Sequence, residues 1–345
     1  MATKNRIPRL AALVAAAMTQ VAHSDQAVPV RPVVASQAAM EAPWWWSFQD
    51  ATLNLLLAAA DRRAAPADRV RVQAAVAADY VGARYNTLRL VTAQALAGIA
   101  QRRLDLLKQG GGADDETLRE ARRQAEESVD RVTQFEALRG ASLASLSQWL
   151  DGHSPRTLAL LLQPALQDSR LVVPSLDVPR QVPGVLLRRR ADVAGAEANL
   201  TLAGRVSAHD QLQFAEYVQA LSSPIGPKAP AAHPQEQGGD DMEQVLDRAR
   251  DDVGHRLWEL KACVEAADQA KAALDATDAD IRQALAGRSR ETLTERDELD
   301  MQVRFLVAAD RMAVAAAAAS LAWVAFQASI GGAGSGQLSA AADVP

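Results

Sequence analysis

Cysteine, histidine and aromatic residues are scarce in this chain, and each scarcity excludes a class of site. The 345 residues include a single cysteine, Cys263, so no disulfide can form within the chain. One thiol in a helical pattern is typical of a small buried side chain. Aromatic residues make up only 4% of the sequence, which favours thin helical packing over a thick core. No histidine pairs with another histidine, a cysteine or an acid at metal-ligand spacing: His23, His153, His209, His233 and His255.

Catalytic motifs are lacking too. The sequence contains no glycine-rich nucleotide loop, no nucleophile elbow and no paired-cysteine motif. We therefore expect no enzyme activity, no catalytic, cofactor-binding or metal-ligating residues, and no cofactor. The formal net charge of −5 lacks the basic surplus that nucleic-acid binding needs, so no nucleic-acid partner is expected.

Long hydrophobic runs are also rare, and the first one resembles an export signal. Lys4, Arg6 and Arg9 precede a short apolar run at Leu10–Met18, and Ala22-His23-Ser24 resembles a cleavage site. The pattern predicts a signal peptide at 1–24, with an attached N-terminal helix as the alternative. No cysteine follows the run, so a lipoprotein anchor is not expected. The other run, Met312–Phe326, has 15 mostly alanine residues, which favours a packed bundle helix over a membrane span.

Helix formers fill the rest of the chain. Alanine, leucine, arginine, glutamate and glutamine dominate, and this composition predicts a mainly all-α fold. Periodicity and Pro/Gly breakers predict an extended segment at 25–43, helices at Asp50–Arg63, Ala67–Lys108, Asp114 to about Trp149, Leu186–Tyr217, Met242–Ala286 and about Glu291 to Ile330, a connector at 153–183, a Pro/Gly loop at 222–241, and a disordered tail at 331–345.

The two halves of the chain share one plan: a short helix, a long helix, a glycine break and a second long helix. The predicted repeats are 44–152, with a hairpin at 67–149 and its tip at 110–112, and 184–330, with a hairpin at 242–330 and its tip at 287–290. The helix at Met242–Ala286 carries apolar residues at coiled-coil spacing. Its 45 residues give a rod of roughly 65 Å, which needs a partner helix to bury this seam.

Two motifs carry a resemblance to a known family. The run Leu186 to Val193, "LLRRRADV", followed by Ala196-Glu197, is similar to the Leu-Leu-x-Arg-Arg-Pro-Asp-Ile-x-x-Ala-Glu motif of TolC-like outer-membrane efflux proteins, in their NodT-type branch. Alanine replaces the motif's proline. The first repeat opens similarly to that family's Trp-Trp-x-x-Phe-x-Asp-Pro-x-Leu, with Trp44, Trp45, Phe48, Asp50 and Leu53.

The resemblance spans about residues 43–332, and further residues fit it. Tyr80 and Arg84 match an Asn-Tyr-Phe-x-x-Arg motif, and Arg189, Arg190, Asp192 and Glu197 are the matching residues of the second repeat. It implies a trimer, homomeric or mixed, whose protomers build two-repeat helical hairpins of a coiled-coil α-barrel. It also implies an outer-membrane location, a periplasmic adaptor and an inner-membrane pump as partners, and export of small molecules.

The sequence departs from that family where membrane strands are expected. A membrane strand takes roughly 9–11 residues. Asp61–Ala75 offers 15 residues for two such strands and a turn, and the Pro/Gly loop occupies the second location. We therefore expect the β-barrel portion to be absent or vestigial. Two functions stay open: an efflux-tunnel component defective as a self-contained pore, or a soluble periplasmic helical protein that docks to an efflux adaptor or to related protomers.

The hairpin tips are the predicted adaptor-docking sites. The two tips differ in charge, and acidic and basic tips could pair around a ring; complementarity with helix dipoles and solvation is the simpler explanation. Thr117-Leu118 and Thr292-Leu293 stand where the family has Asp-Val. The predicted tip residues are Gly110, Gly111, Gly112, Asp114, Asp115 and Glu116 in the first hairpin, and Gly287, Arg288, Arg290 and Glu291 in the second.

Overall fold

A computed structural model describes residues 43–66, 68–110, 113–150, 153–168, 173–174, 178–203, 208–230, 242–286 and 294–332. Several predicted features lie outside these residues. They are the signal peptide at 1–24, the extended segment up to residue 42, residues 231–241 of the Pro/Gly loop, the tail from residue 333, and the tip residues Gly111, Gly112, Gly287, Arg288, Arg290 and Glu291.

Helices dominate the described residues, which confirms the all-α expectation. The α-helices are α1 (Ala51–Asp61), α2 (Arg69–Gly110), α3 (Asp115–Trp149), α4 (Pro155–Leu161), α5 (Gln163–Gln167), α6 (Ala191–Ala203), α7 (Ala208–Ser222), α8 (Met242–Ala286) and α9 (Glu295–Ser329). Two 3-10 helices span Trp44–Phe48 and Gly184–Arg189. This part of the chain contains no strand, and one isolated antiparallel bridge joins Val182 to Ile225.

Side-chain caps fix where the helices begin. The Asp50 carboxylate accepts a hydrogen bond from the Leu53 N–H at 2.9 Å and starts α1. At α9, Thr294 and Asp297 bond reciprocally: each side chain accepts from the other's backbone N–H at 3.2 Å. This capping box places the start of α9 at Glu295, later than the start near Glu291 that the sequence predicts.

The predicted connector at 153–183 contains two short helices: Ser154 caps α4 with Pro155 in its first turn, and α5 follows directly. The single helix predicted over Leu186–Tyr217 is wrong. It begins as the 3-10 helix Gly184–Arg189, and Arg190, with φ −75° and ψ 136°, is extended, so α6 starts as a new helix at Ala191.

The chain divides into two compact units. Among the described residues, the first comprises those within 79–168, 265–286 and 294–318, and the second comprises those within 43–78, 173–264 and 319–332. Each unit contains segments from both predicted repeats. The repeat boundaries 44–152 and 184–330 therefore stay a prediction.

In the first unit, α2 packs with the later part of α8 and the earlier part of α9. The core includes Tyr85 and Ile99 from α2, Leu274 from α8 and Leu306 from α9. Alanines of α9 fill the remaining contacts, and their small side chains let helix axes approach closely: Ala309, Ala313 and Ala316. A smaller cluster joins α2 to Phe135 of α3 through Leu90 and Ala93.

In the second unit, buried aromatic residues and the first part of α8 supply the core. The predicted seam of α8 is buried at Leu246, Val253, Leu257 and Leu260. Large side chains elsewhere in the unit are also buried: Trp44, Trp45, Phe48, Leu53, Leu57, Leu187, Tyr217, Trp323 and Phe326. Burial of large apolar surface at roughly 25 cal/mol per Å² is the main stabilising contribution here.

Helix α9 is long and apolar enough to cross a membrane by length and composition. A buried helix of a bundle passes the same test. Ala309, Ala313 and Ala316 are at most 1% exposed and belong to the first unit's core, and Phe326 is fully buried in the second unit. This packing is what the sequence predicts for Met312–Phe326.

Candidate functional site

Gly110, the first residue of the predicted tip at 110–112, is the last residue of α2. Asp114 caps α3: its carboxylate accepts a hydrogen bond from the Thr117 N–H at 2.7 Å. Asp115 and Glu116 are exposed in the first turn of α3, where carboxylates complement the positive end of the helix dipole. The described part of this tip therefore presents an acidic helix start. Its predicted role in docking stays a prediction.

A groove of about 650 Å³ lies beside this tip, between α2, α3 and α9. Its walls are mixed in charge, with Leu106 and Leu107 contributing apolar surface. Arg103 pairs with Asp300 across the groove. The polar and charged lining residues are Arg103, Glu116, Thr117, Glu120, Gln124, Arg296 and Asp300. Such a surface suits a charged helix or peptide, because both signs of charge and an apolar floor are available.

Ion pairs between distant helices are the functional-site feature that sequence reasoning missed. Arg102 donates two hydrogen bonds to the Glu295 carboxylate, at 2.5 and 2.8 Å, and so ties α2 to the start of α9. Arg89 binds Asp310 through two bonds of 2.9 and 3.3 Å, and its guanidinium lies 4.3 Å from the centre of the Phe135 ring. Partners about 200 residues apart leave no local pattern that could reveal them.

Acidification is expected to loosen the first turn of α3. Hydrogen bonds from the Thr117 side chain and backbone hold the pKa of Asp114 below its ordinary value of 3.8. A lowered pKa in the folded state means that the cap stabilises above the ordinary value and is lost as the pH falls through the folded value. Hydrogen exchange, corrected for its intrinsic pH dependence, should show reduced protection around Thr117 only at that low pH. Asp114→Asn still caps without titrating, so it should remove this pH dependence.

The aromatic motif of the first repeat forms a buried 3-10 turn. The ring centres of Trp44 and Trp45 lie 5.7 Å apart and those of Trp44 and Phe48 6.5 Å apart, both in edge-on geometry. The Trp44 indole N–H donates to Gln73 at 3.5 Å, and Gln73 in turn donates to Asp61 at 2.8 Å. These contacts hold the turn against both ends of the short connection between α1 and α2.

Tyr80 and Arg84 lie one helical turn apart and are both buried in the first unit. The Arg84 guanidinium donates to the Tyr80 hydroxyl at 3.3 Å and to the backbone carbonyl of Asp168 at 3.1 Å. Arg84 therefore fastens α2 to the residue that ends α5. This is a structural role.

Three arginines of the second repeat, Arg188 to Arg190, form what we call the arginine junction. Arg190 binds Asp192 through two bonds, at 2.9 and 3.1 Å, and Asp252 of α8 at 2.7 Å. It also donates to the carbonyl of Ser329, at the end of α9, at 3.0 Å. One side chain thus holds the start of α6, the first part of α8 and the end of α9 together. The local pairing that the sequence suggests is only part of this network.

Arg188 completes the junction on the other side. Its guanidinium pairs with Glu197 at 3.0 Å and donates to the Tyr217 hydroxyl at 3.3 Å. Burial raises the pKa of Tyr217 to about 12, despite the opposing hydrogen bond from Arg188. Burial lowers the pKa of Arg190, but its hydrogen bonds to Asp192 and Asp252 outweigh this and raise the pKa overall. At neutral pH Arg190 therefore stays charged and the Tyr217 hydroxyl stays neutral.

Two glycines let backbones meet at the junction. A Cβ on Gly184 would lie 2.6 Å from the Ser223 carbonyl oxygen and 2.7 Å from that of Leu221. Gly331, with φ +71°, follows α9, and a Cβ there would lie 2.6 Å from the Arg189 Cβ. Only glycine fits such approaches without moving the neighbours.

The described residues contain no group of three or more histidine, cysteine or acidic side chains that could hold a metal ion. The charged clusters at the tip and the junction are matched pairs of arginines and carboxylates. Their arrangement suits helix packing and protein contact.

Solved structures give the comparison that sequence searches do not. No protein-family model matches the chain, and no curated protein matches its sequence. A crystal structure of CusC, from work on folding and transmembrane channel formation, is 12% identical with a TM-score of 0.55 and covers 96% of this chain and 93% of its own. The outer-membrane channel OprN is 19% identical (TM-score 0.51; 81% of this chain, 70% of its own).

The Campylobacter jejuni CmeC outer membrane channel is similar too, at 14% identity and a TM-score of 0.50, covering 86% of this chain and 69% of its own. At identities this low, the structural matches show a shared fold and nothing more specific. The described part of the chain has the helical fold of the TolC-like outer-membrane channels.

Proposed function

We propose that this protein is the periplasmic tunnel component of an outer-membrane export system for small molecules. The observation that carries the proposal is the fold, whose match with CusC covers nearly all of both chains. In this role the chain is exported, assembles as a homotrimer or mixed trimer, and catalyses no reaction. The long hairpins line the tunnel, and an inner-membrane pump supplies the cargo.

The tip groove is the surface we assign to a periplasmic adaptor protein. It lies beside the end of the α2–α3 hairpin and carries both signs of charge around Leu106 and Leu107. The pairs Arg102–Glu295 and Arg103–Asp300 brace two of its walls. A helical adaptor segment could exchange ion pairs with this surface, since charge complementarity gives specificity and fast association.

A second function has an observation of its own. Helix α1 ends at Asp61 and α2 begins at Arg69, so the connection is far shorter than two membrane strands of roughly 9–11 residues each. The start of the other connection is held on α8, where the Lys228 N–H donates to the Gly254 carbonyl at 2.9 Å. The short first connection, together with this attachment, favours a soluble periplasmic protein that docks to an adaptor or to related protomers.

Cell fractionation separates the two functions. If the chain is a membrane-anchored tunnel, the exported protein should pellet with the outer membrane and resist carbonate washing. Light scattering of the purified protein should then give the mass of a trimer. Recovery entirely in the osmotic-shock fluid would overturn the tunnel proposal in favour of the soluble alternative.

A pair of matched variants tests the docking surface. Glu116→Arg with Glu120→Arg reverses the acidic wall of the groove, whereas Glu126→Arg with Glu136→Arg places the same charges elsewhere on exposed positions of α3. Chemical cross-linking to a co-expressed adaptor should fall roughly tenfold for the first pair and stay unchanged for the second. Equal cross-linking by both variants would show that the groove does not dock the adaptor.

A further inference from the structure

Residues 224–230, "PIGPKAP", follow α7 in the second unit, and we call them the proline strap. Prolines stand at every third position: Pro224, Pro227 and Pro230. All three are exposed, whereas Ile225 between them is 4% exposed. The prolines therefore form an edge of the segment that faces solvent, and Ile225 lies on an opposite edge that faces the protein.

The sequence itself restricts the backbone of the strap. Each proline fixes its own φ near −65°, and each also disfavours helix at the residue before it, here Ser223, Gly226 and Ala229. Ile225 is held in the antiparallel bridge with Val182 by two hydrogen bonds of 2.8 and 2.7 Å. An extended backbone restricted in this way is compatible with polyproline II, in which three residues make one turn. The three prolines then lie along a single edge.

The inward edge is attached to α8 and α7. The Lys228 N–H donates to the Gly254 carbonyl at 2.9 Å, and the Lys228 ammonium pairs with Asp251 at 2.5 Å. Gly254 permits this approach, because a Cβ there would lie 3.0 Å from the Gly226 carbonyl oxygen. Arg250 donates to the carbonyls of Ala220, at 2.7 Å, and Ser223, at 3.3 Å. The strap is thus ordered before any partner arrives.

We propose that the proline strap is a docking segment for a partner domain with an aromatic-lined groove of the kind that reads polyproline II. Proline rings spaced at one turn pack on aromatic faces, and a preordered ligand loses little entropy on binding. The strap cannot add a strand to a sheet along its proline edge, since prolines have no N–H to donate. The inference is independent of the tunnel function.

The test uses the full exported chain with a photo-cross-linking amino acid at Ala229, an exposed position between two of the prolines. Adducts formed in cells are identified by mass spectrometry, and the identified partner is purified and titrated against the full chain. We expect the adduct to map to an aromatic-lined groove. We expect Pro224→Ala, Pro227→Ala and Pro230→Ala together to weaken binding about tenfold.

A matched triple variant controls for loss of proline as such. Pro66→Ala, Pro155→Ala and Pro164→Ala remove three exposed prolines outside the strap and should leave the partner's Kd unchanged. Pro230 lies beyond the anchoring residues Ile225 and Lys228. Pro230→Ala alone should therefore weaken binding about threefold without affecting folding. No adduct, an adduct only with lipid or a second copy of this chain, or equal binding by the strap variants would overturn the proposal.

Discussion

Replacing Arg190 with alanine is expected to lower the free energy of unfolding by about 2–3 kcal/mol. The Arg190 side chain is 18% exposed and donates to Asp192, Asp252 and the Ser329 carbonyl. Removing it leaves the Ser329 carbonyl without this donor and takes the Arg190 cation from both carboxylates, although Asp252 keeps a longer pair with Arg256 at 3.7 Å. The carboxylates are 39–50% exposed, so water solvates them in part and the loss is smaller than for a fully buried pair.

Urea unfolding followed by circular dichroism measures this loss. Arg123→Ala is the matched control, because Arg123 also bridges two carboxylates, Glu120 and Glu127, but on the exposed face of α3. Its urea midpoint should equal that of the native chain. Arg190→Lys keeps the charge but loses the planar guanidinium, so its urea midpoint should lie between those of Arg190→Ala and Arg123→Ala. If Arg190→Ala is as stable as Arg123→Ala, the junction contributes nothing to stability.

The long helices were predictable because their signals are local. Helix α8 has the bounds Met242–Ala286 that the periodicity predicts, and α2 differs from its prediction by two residues at each end. Asp114 was identified as a helix start from its acidic neighbours alone, and it does cap α3. Apolar spacing, glycine breaks and capping residues all act within a few positions, so a single sequence reveals them.

The arginine junction was only half predictable. "RRRAD" indicates local pairing, and Arg190 does bind Asp192. Its bonds to Asp252 and Ser329 join positions 62 and 139 residues away, which no local pattern encodes. The break at Arg190 was missed for the same reason: these bonds hold its backbone extended where helix propensity favours continuation.

The seam of α8 shows where periodicity overstates burial. Leu257 is fully buried in the second unit, whereas Leu285 is 45% exposed near the end of the same helix in the first unit. Identical spacing therefore yields different burial, because burial depends on which helices lie alongside. The charge pairing proposed between tips stays a prediction, since the basic tip residues lie outside the described residues.

Replacing Gly331 with alanine is expected to cost about 3 kcal/mol of unfolding free energy. Its φ of +71° lies in the left-handed region, where a Cβ costs roughly 1–2 kcal/mol. The added atom would also meet the Arg189 Cβ at 2.6 Å and the Arg189 carbonyl carbon at 2.7 Å, and backbone atoms cannot rotate away. Overpacking of this kind typically costs a further 1–3 kcal/mol.

The opposite outcome is expected for Gly140→Ala, which makes this glycine a matched control. Gly140 lies within α3, and a Cβ there meets nothing within 4 Å. Alanine should stabilise the chain by roughly 0.5–1 kcal/mol, because it restricts the unfolded chain and favours helix. Urea midpoints of the two variants should therefore move in opposite directions from the native chain. A Gly331→Ala midpoint at or above the native value would mean that the end of α9 does not rest on Arg189, and that the junction is held by its ion pairs alone.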